Sequence, residues 1–190
     1  MEASDEAIYQ AHFQIPYDVF VTKKHHLFPN RGYLMFTDSF GNLVYRVEPQ
    51  QTNKLLLDAS GNCLISLHHL QRGSWKGFQR SDSSNELFFR VERTVNELTR
   101  TEFEIFLVGG EHGKDSKTNF KMKGSPFKRS CTIYKDNSIV AETSLMYKLG
   151  MKKIFVPRTR FRVTLFPVFA DHPLVVALLI IFFNGRKFWV

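Results

Sequence analysis

Cysteine is scarce in this chain of 190 residues: Cys63 and Cys131 are its only two. Two thiols cannot build the disulfide framework of a small secreted domain, so both are expected to pack as small buried hydrophobes in a reducing compartment. The first ten residues, MEASDEAIYQ, lack a basic stretch followed by an apolar run, and position 2 is not glycine. Neither a secretory signal nor a myristoylation site is legible there. The expected address is intracellular and cytoplasmic, extending to a peripheral position at the plasma membrane or to the nucleus. Residues 1–12 are expected to be flexible, residues 13–190 to form one domain, and the molecule to be a monomer.

A hydrophobic run of membrane-spanning length is missing as well. The greasiest stretch, Pro173 to Phe183, lies within HPLVVALLIIFFNGRKFWV and holds eleven residues without a charge or a hydrogen-bonding side chain. As a helix rising about 1.5 Å per residue it covers roughly 16 Å, half of the ~30 Å hydrocarbon layer. Asp171 and His172 stop it from extending backwards. No transmembrane segment is expected, so other parts of the protein must cover these side chains.

Catalytic signatures are absent too. No G-x-S-x-G, Walker loop or dinucleotide fingerprint occurs, and Gly109-Gly110 is only a loop pair. His25-His26 and His68-His69 are adjacent residues, which point to opposite faces of a strand and cannot chelate one metal as a pair; Cys63 and His68, five apart, also diverge. The expectation is a non-enzyme with neither cofactor nor metal.

Two-residue alternation, by contrast, is plentiful. Leu43, Tyr45 and Val47 follow the turn DSFGN (38–42); twenty residues later Cys63, Ile65 and Leu67 follow DASGN (58–62) in the same register. Asp initiates turns by accepting bonds from its own backbone and Gly adopts positive φ at no steric cost, so each D-x-x-G-N reads as a hairpin turn. KDNS at 135–138 is a third candidate, and alternation returns around Phe89, Ile105 and Val163. Loops are expected at 80–86, 109–119 and 123–126, where turn residues cluster. The chain reads as short antiparallel strands.

The terminal run is the exception. Asp171 can cap a helix, Pro173 suits its first turn, and Asn184-Gly185 followed by Arg186 and Lys187 suits its stop. A helix apolar all round belongs at the centre of a protein, and a sheet curled around it covers every side. The fold class expected is mainly β: a closed antiparallel barrel around a central hydrophobic C-terminal helix, with Leu174, Ala177, Leu178 and Ile181 in its core. An apolar composition of 43% with 19 Phe can fill such an interior.

Charge is uneven along the chain. Residues 1–110 hold 11 Lys+Arg against 13 Asp+Glu, whereas residues 111–162 hold 13 against 4. Such a focused excess attracts acidic partners. In MKKIFVPRTRFRVTLF, Arg158, Arg160 and Arg162 share one strand face at about 7 Å spacing, forming a ladder suited to anions. Lys121 and Lys123 repeat the pattern, with Lys128 and Arg129 beside them and Lys114 and Lys117 in the preceding loop. The competing reading is a solvated outer face whose cations discourage edge pairing.

Taken in order, LLLDASGNCLISL, SWKGFQ, NELFFRVER, FKMKGSPFKRSCTIY, IVAE and ADHPLVVALLIIFF resemble the plant LURP-one-related proteins, a family similar to the tubby C-terminal domain and the phospholipid scramblases. The likeness runs from about residue 14 to 183. It implies a barrel of about twelve strands around the terminal helix, and a membrane-tethered regulator linked to pathogen defence that binds phosphoinositide headgroups. The chain departs from the family pattern after the helix, where NGRKFWV is basic and aromatic. An anionic membrane headgroup is therefore the expected partner of Lys121, Lys123, Lys128, Arg129, Arg158, Arg160 and Arg162. The alternative is a nucleic-acid-binding or transcription-related protein using the same face, and a scramblase-like lipid mover is the weakest reading.

Overall fold

The computed structural model describes residues 15–24, 33–80, 85–97, 99–108, 120–126, 128–145, 160–167 and 171–184. Twelve strands appear in chain order. The first six are β1 (Tyr17–Lys24), β2 (Tyr33–Thr37), β3 (Leu43–Pro49), β4 (Asn53–Asp58), β5 (Cys63–His69) and β6 (Trp75–Arg80). They continue as β7 (Asn85–Asn96), β8 (Thr101–Leu107), β9 (Phe120–Ser125), β10 (Ser130–Lys135), β11 (Ser138–Leu145) and β12 (Arg160–Leu165). Each pairs antiparallel with its sequence neighbours, and β12 closes on β1, Val19 lying opposite Val163. Closure leaves no free strand edge among the described residues.

The repeated turns form as their residues dictate. Asp38 Oδ1 accepts from the backbone N–H groups of Phe40 (2.9 Å) and Asn42 (2.8 Å), and Oδ2 accepts from the Asn42 amide at 2.9 Å. Asp58 holds Asn62 in the same way, at 2.8 and 2.9 Å. Gly41 and Gly61 take φ of +86° and +93°, where a Cβ is strained. The third hairpin, with Asp136 at φ 53°, joins β10 to β11.

The helix α1 (His172–Asn184) fills the barrel, and Leu174 through Phe183 are all buried. Leu174, Ala177, Leu178 and Ile181 are each 0% exposed. Asp171 Oδ1 caps the first turn by accepting from Leu174 N–H at 2.9 Å. Inward residues of the wall complete the core: the Phe103 ring meets Phe182 at 5.9 Å and Phe161 meets Phe183 at 4.7 Å. At the other end Tyr17 stacks on His172, centroids 6.1 Å apart. These contacts fix the axis: α1 begins beside the start of β1 and finishes beside the starts of β8, β10 and β12.

Three expectations change. The loop expected at 123–126 is strand through Ser125, with Gly124 between Thr101 and Cys131. A Cβ at Gly124 would lie 2.1 Å from the Ser130 carbonyl oxygen, so glycine here admits a close backbone and does not mark a turn. Likewise Arg80 and residues 85–86 belong to strands β6 and β7; ladder pairing overrides their turn propensity. Cys131 is buried, and burial pushes its thiol well up, but Cys63 is only half-buried. The expected loop at 109–119, with Lys114 and Lys117, lies outside the described residues, as do His25-His26 and residues 1–12.

Candidate functional site

Among the residues expected to bind anions, the described strand cations lie on two separate stretches of the outer wall. Arg160 and Arg162 are exposed on the outer face of β12 while Phe161, Val163 and Leu165 point inward. Arg162 lies 3.7 Å from Asp18 Oδ2 on the neighbouring strand. Arg158 lies outside the described residues. Lys121 and Lys123 are exposed on β9, Lys121 3.4 Å from Glu104 and Lys123 opposite Glu102. β10 and β11 separate the two groups, so about 14 Å of convex wall lies between them at ~4.8 Å per strand. Exposed pairs of this kind contribute about 0.2–1 kcal/mol each and mute the local field.

Lys128 and Arg129 lie in the turn between β9 and β10, at the end where α1 finishes. Lys128 is exposed. Arg129 turns inward: its φ is 54°, its carbonyl accepts from Thr143 Oγ1 at 2.9 Å, and its guanidinium stands 5.7 Å from the Phe183 ring centre.

Other cations converge there that the charge count along the chain did not reveal. Lys23 continues the inward series Val19, Val21 on β1, and Lys54 precedes Leu56 on the inward face of β4. Burial, and then the Arg129 guanidinium, hold the Lys23 amine below its ordinary range; burial, and then Lys23, do the same to Lys54. Arg93 follows Phe89 and Val91 inward, its guanidinium 5.4 Å over the Phe103 ring and packed where a Cβ on Gly73 would lie 2.5 Å from Cζ. The carboxylates that the described residues place at this end are outside the wall. Glu48 pairs with Arg46 at 3.1 Å and Glu102 with Arg100 at 2.6 Å, while Glu97, in the β7–β8 turn, also acts on Arg100.

The opposite end is acidic. Asp38, Asp58 and Asp136 occupy its hairpin turns, and Asp171 caps the helix. Tyr17 is pushed up by burial and then Asp38; Tyr45 by burial, then Tyr17 and Asp171. The barrel is thus polarised along its axis, acids around the positive start of the helix dipole and cations around its negative finish.

His68 bonds Ser66 at 3.0 Å and meets Phe78 edge-on, whereas His69 meets Trp75, so the two imidazoles point apart. What the site offers is hydrogen-bond donors and positive charge at one end of a rigid wall.

A closed antiparallel barrel threaded by its own apolar helix is the class these observations define. The chain belongs to the LURP-one-related family, whose family model matches residues 17–183. It is 41% identical over 176 residues to protein LURP-one-related 7 of Arabidopsis thaliana, covering 90% of this chain and 91% of that one. To LURP-one-related 15 of the same plant it is 29% identical over 159 residues, covering 79% and 71%. An A. thaliana protein of known X-ray structure aligns with a TM-score of 0.61 at 24% identity, covering 89% and 91%, a likeness that bears on the fold alone.

Proposed function

We propose that this chain is a non-enzymatic binding module whose cationic barrel end engages phosphoinositide or other anionic headgroups at an intracellular membrane face, acting as a tethered regulator in pathogen defence. The observation that carries the reading is the polarity of the barrel. Lys128 and Arg160 are exposed at the end where α1 finishes, with Lys123 and Arg162 on the adjoining outer wall. Each Lys or Arg close to an acidic bilayer contributes about 1 kcal/mol, so a few acting together hold a domain at the surface reversibly. The process, defence, is what the family resemblance implies.

No helix among the described residues is long and apolar enough to cross a membrane, and α1 is enclosed by the wall. Attachment therefore runs through charge rather than insertion of α1, which also disfavours lipid scrambling by that helix. The nucleic-acid reading gains no support, because a buried helix cannot enter a groove.

Vesicle sedimentation tests the proposal. The protein is expected to pellet with vesicles carrying phosphatidylinositol bisphosphate at low salt, and to leave them as salt approaches about 0.5 M, where the screening length is only a few ångströms. Equal pelleting with neutral phosphatidylcholine vesicles would contradict it.

A further inference from the structure

Exposed apolar side chains gather at one end of the barrel. Of the exposed large hydrophobic side chains among the described residues, Ile15 and Tyr17 at the start of β1, Phe40 in the β2–β3 turn, Val108 after β8 and Ile139 on β11 stand at the end where α1 begins. The remaining one, Leu70, stands at the other. Scattered single exposures need no explanation, whereas a group on one surface marks an interaction site. Tyr17 lies opposite Leu165 and Leu165 opposite Ala141, so Ile15 and Ile139, each two residues further out, come about 10 Å apart across β12 at ~4.8 Å per strand. Asp38 acts on the Tyr17 hydroxyl, which puts the β2–β3 turn, and Phe40 with it, beside the same strand end.

The repeated turn supplies an internal control for Phe40. In DSFGN and DASGN the aspartate bonds the asparagine in the same way, at 2.8 and 2.9 Å, and the glycine takes the same left-handed conformation, yet Ser60 stands where the first turn has Phe40. The turn therefore forms without a phenylalanine. Phe40 is 89% exposed, so it does not serve the core either. Neither local structure nor packing accounts for the ring, and covering it with a second surface is favourable in proportion to the apolar area removed from water.

Charge decides what can cover it. Asp38 lies two residues from Phe40, Asp58 is opposite Tyr45, and Asp171 acts on the Tyr45 hydroxyl. The Asn42 amide holds the Asp38 carboxyl below the usual range and the Asn62 amide that of Asp58, so both stay charged at neutral pH. Among the described side chains of this rim Lys135 is a cation, but it ends β10, three strands from β1. Such a surface repels an anionic bilayer and equally the same end of a second copy, and it attracts a basic partner. We propose that Phe40, Ile15, Tyr17 and Ile139, with Asp38, Asp58 and Asp171 around them, form a docking surface for a basic polypeptide segment that carries an aromatic or aliphatic anchor. The anchor covers the Phe40 ring, and the lysines or arginines beside it meet the carboxylates. This goes beyond attachment to acidic bilayers, since it uses the opposite end of the barrel and needs no lipid.

Random peptides displayed on phage, selected on the full chain with Phe40→Ser protein for counter-selection, provide the test. That variant carries the residue of the sister turn and is expected to melt with the wild type. Peptides retained by the wild type are expected to combine Lys or Arg with aromatic or aliphatic residues. In fluorescence anisotropy a synthetic copy of the most enriched peptide should bind Phe40→Ser about tenfold or more weakly, the scale of leaving one phenylalanine uncovered. Asp171→Asn keeps a helix cap but removes its charge, and should weaken the same peptide several-fold and reduce its salt dependence. Leu70→Ser, at the opposite end, should change neither. A selection that returns no peptide preferring the wild type, or returns acidic sequences, overturns the assignment. Self-association, or pelleting with neutral vesicles, that Phe40→Ser abolishes would give the surface to another occupant and overturn it as well.

Discussion

Lys54 shows how an ordinary residue becomes informative through position. Its amine sits on an inward strand position, depressed by burial and by Lys23. The unfolded chain therefore holds this proton more tightly than the folded one, so its penalty is complete below the folded pKa and fades as pH rises towards the ordinary lysine range. Lys54→Met is expected to melt above wild type at pH 7, with the gap narrowing by pH 9.5; a constant gap would show that the charge is not responsible. Asp58 behaves oppositely, because the Asn62 amide and backbone N–H groups hold its carboxyl below the usual range. Its contribution is present above the unfolded pKa and lost as pH falls through the folded one. Asp58→Ala should flatten the acid limb of the stability curve below about pH 4, read by urea midpoints at pH 3 and 6. The inward cations were legible in principle. In Val19-x-Val21-x-Lys23 and Phe89-x-Val91-x-Arg93 the alternation runs straight into a cation. A count by chain segment hides this, since Lys23, Lys54 and Arg93 all lie in the half with more acids than bases.

Among the elements, α1 is the part that the sequence disclosed most fully. An eleven-residue apolar run too short for a bilayer, with an N-cap aspartate, had one place left to go, and the helix His172–Asn184 is enclosed there. Leu178→Asp is expected to leave no folded protein, as an unpaired buried carboxylate costs several kcal/mol; Leu178→Ala should cost about 2–5 kcal/mol in denaturant unfolding. A wild-type melting curve for Leu178→Asp would mean that the helix is not the core. Gly77 illustrates what alternation cannot disclose. A Cβ there would lie 2.2 Å from Cζ of Phe89, on the facing strand and fully buried. Gly77→Ala should therefore destabilise by about 1–3 kcal/mol through displacement of that ring. Register between strands decides such contacts, and register was not legible because hairpin irregularities such as the shift between Gly77 and Phe78 reset the pairing.

At the scale of the whole molecule, the barrel has two unlike ends. The end at which α1 begins is acidic and also carries the exposed apolar side chains Ile15 (84%), Phe40 (89%) and Ile139 (39%). The end at which it finishes is cationic. This segregation was invisible along the chain because a meander of alternating strand directions sends successive turns to opposite ends. Arg160→Glu with Arg162→Glu is expected to melt within about 0.5 kcal/mol of wild type, as exposed positions usually do, while losing most vesicle binding. Orientation on the bilayer is the sharpest consequence. In a Cys63→Ser background, with Cys131 buried, an environment-sensitive fluorophore is attached to a single cysteine at position 128 or at position 40 and exposed to vesicles of bisphosphorylated inositol lipid with brominated chains. Quenching of the label at 128 and none at 40 is the expected result. Quenching at 40 with an unaffected label at 128 would put the apolar acidic end on the membrane and contradict it.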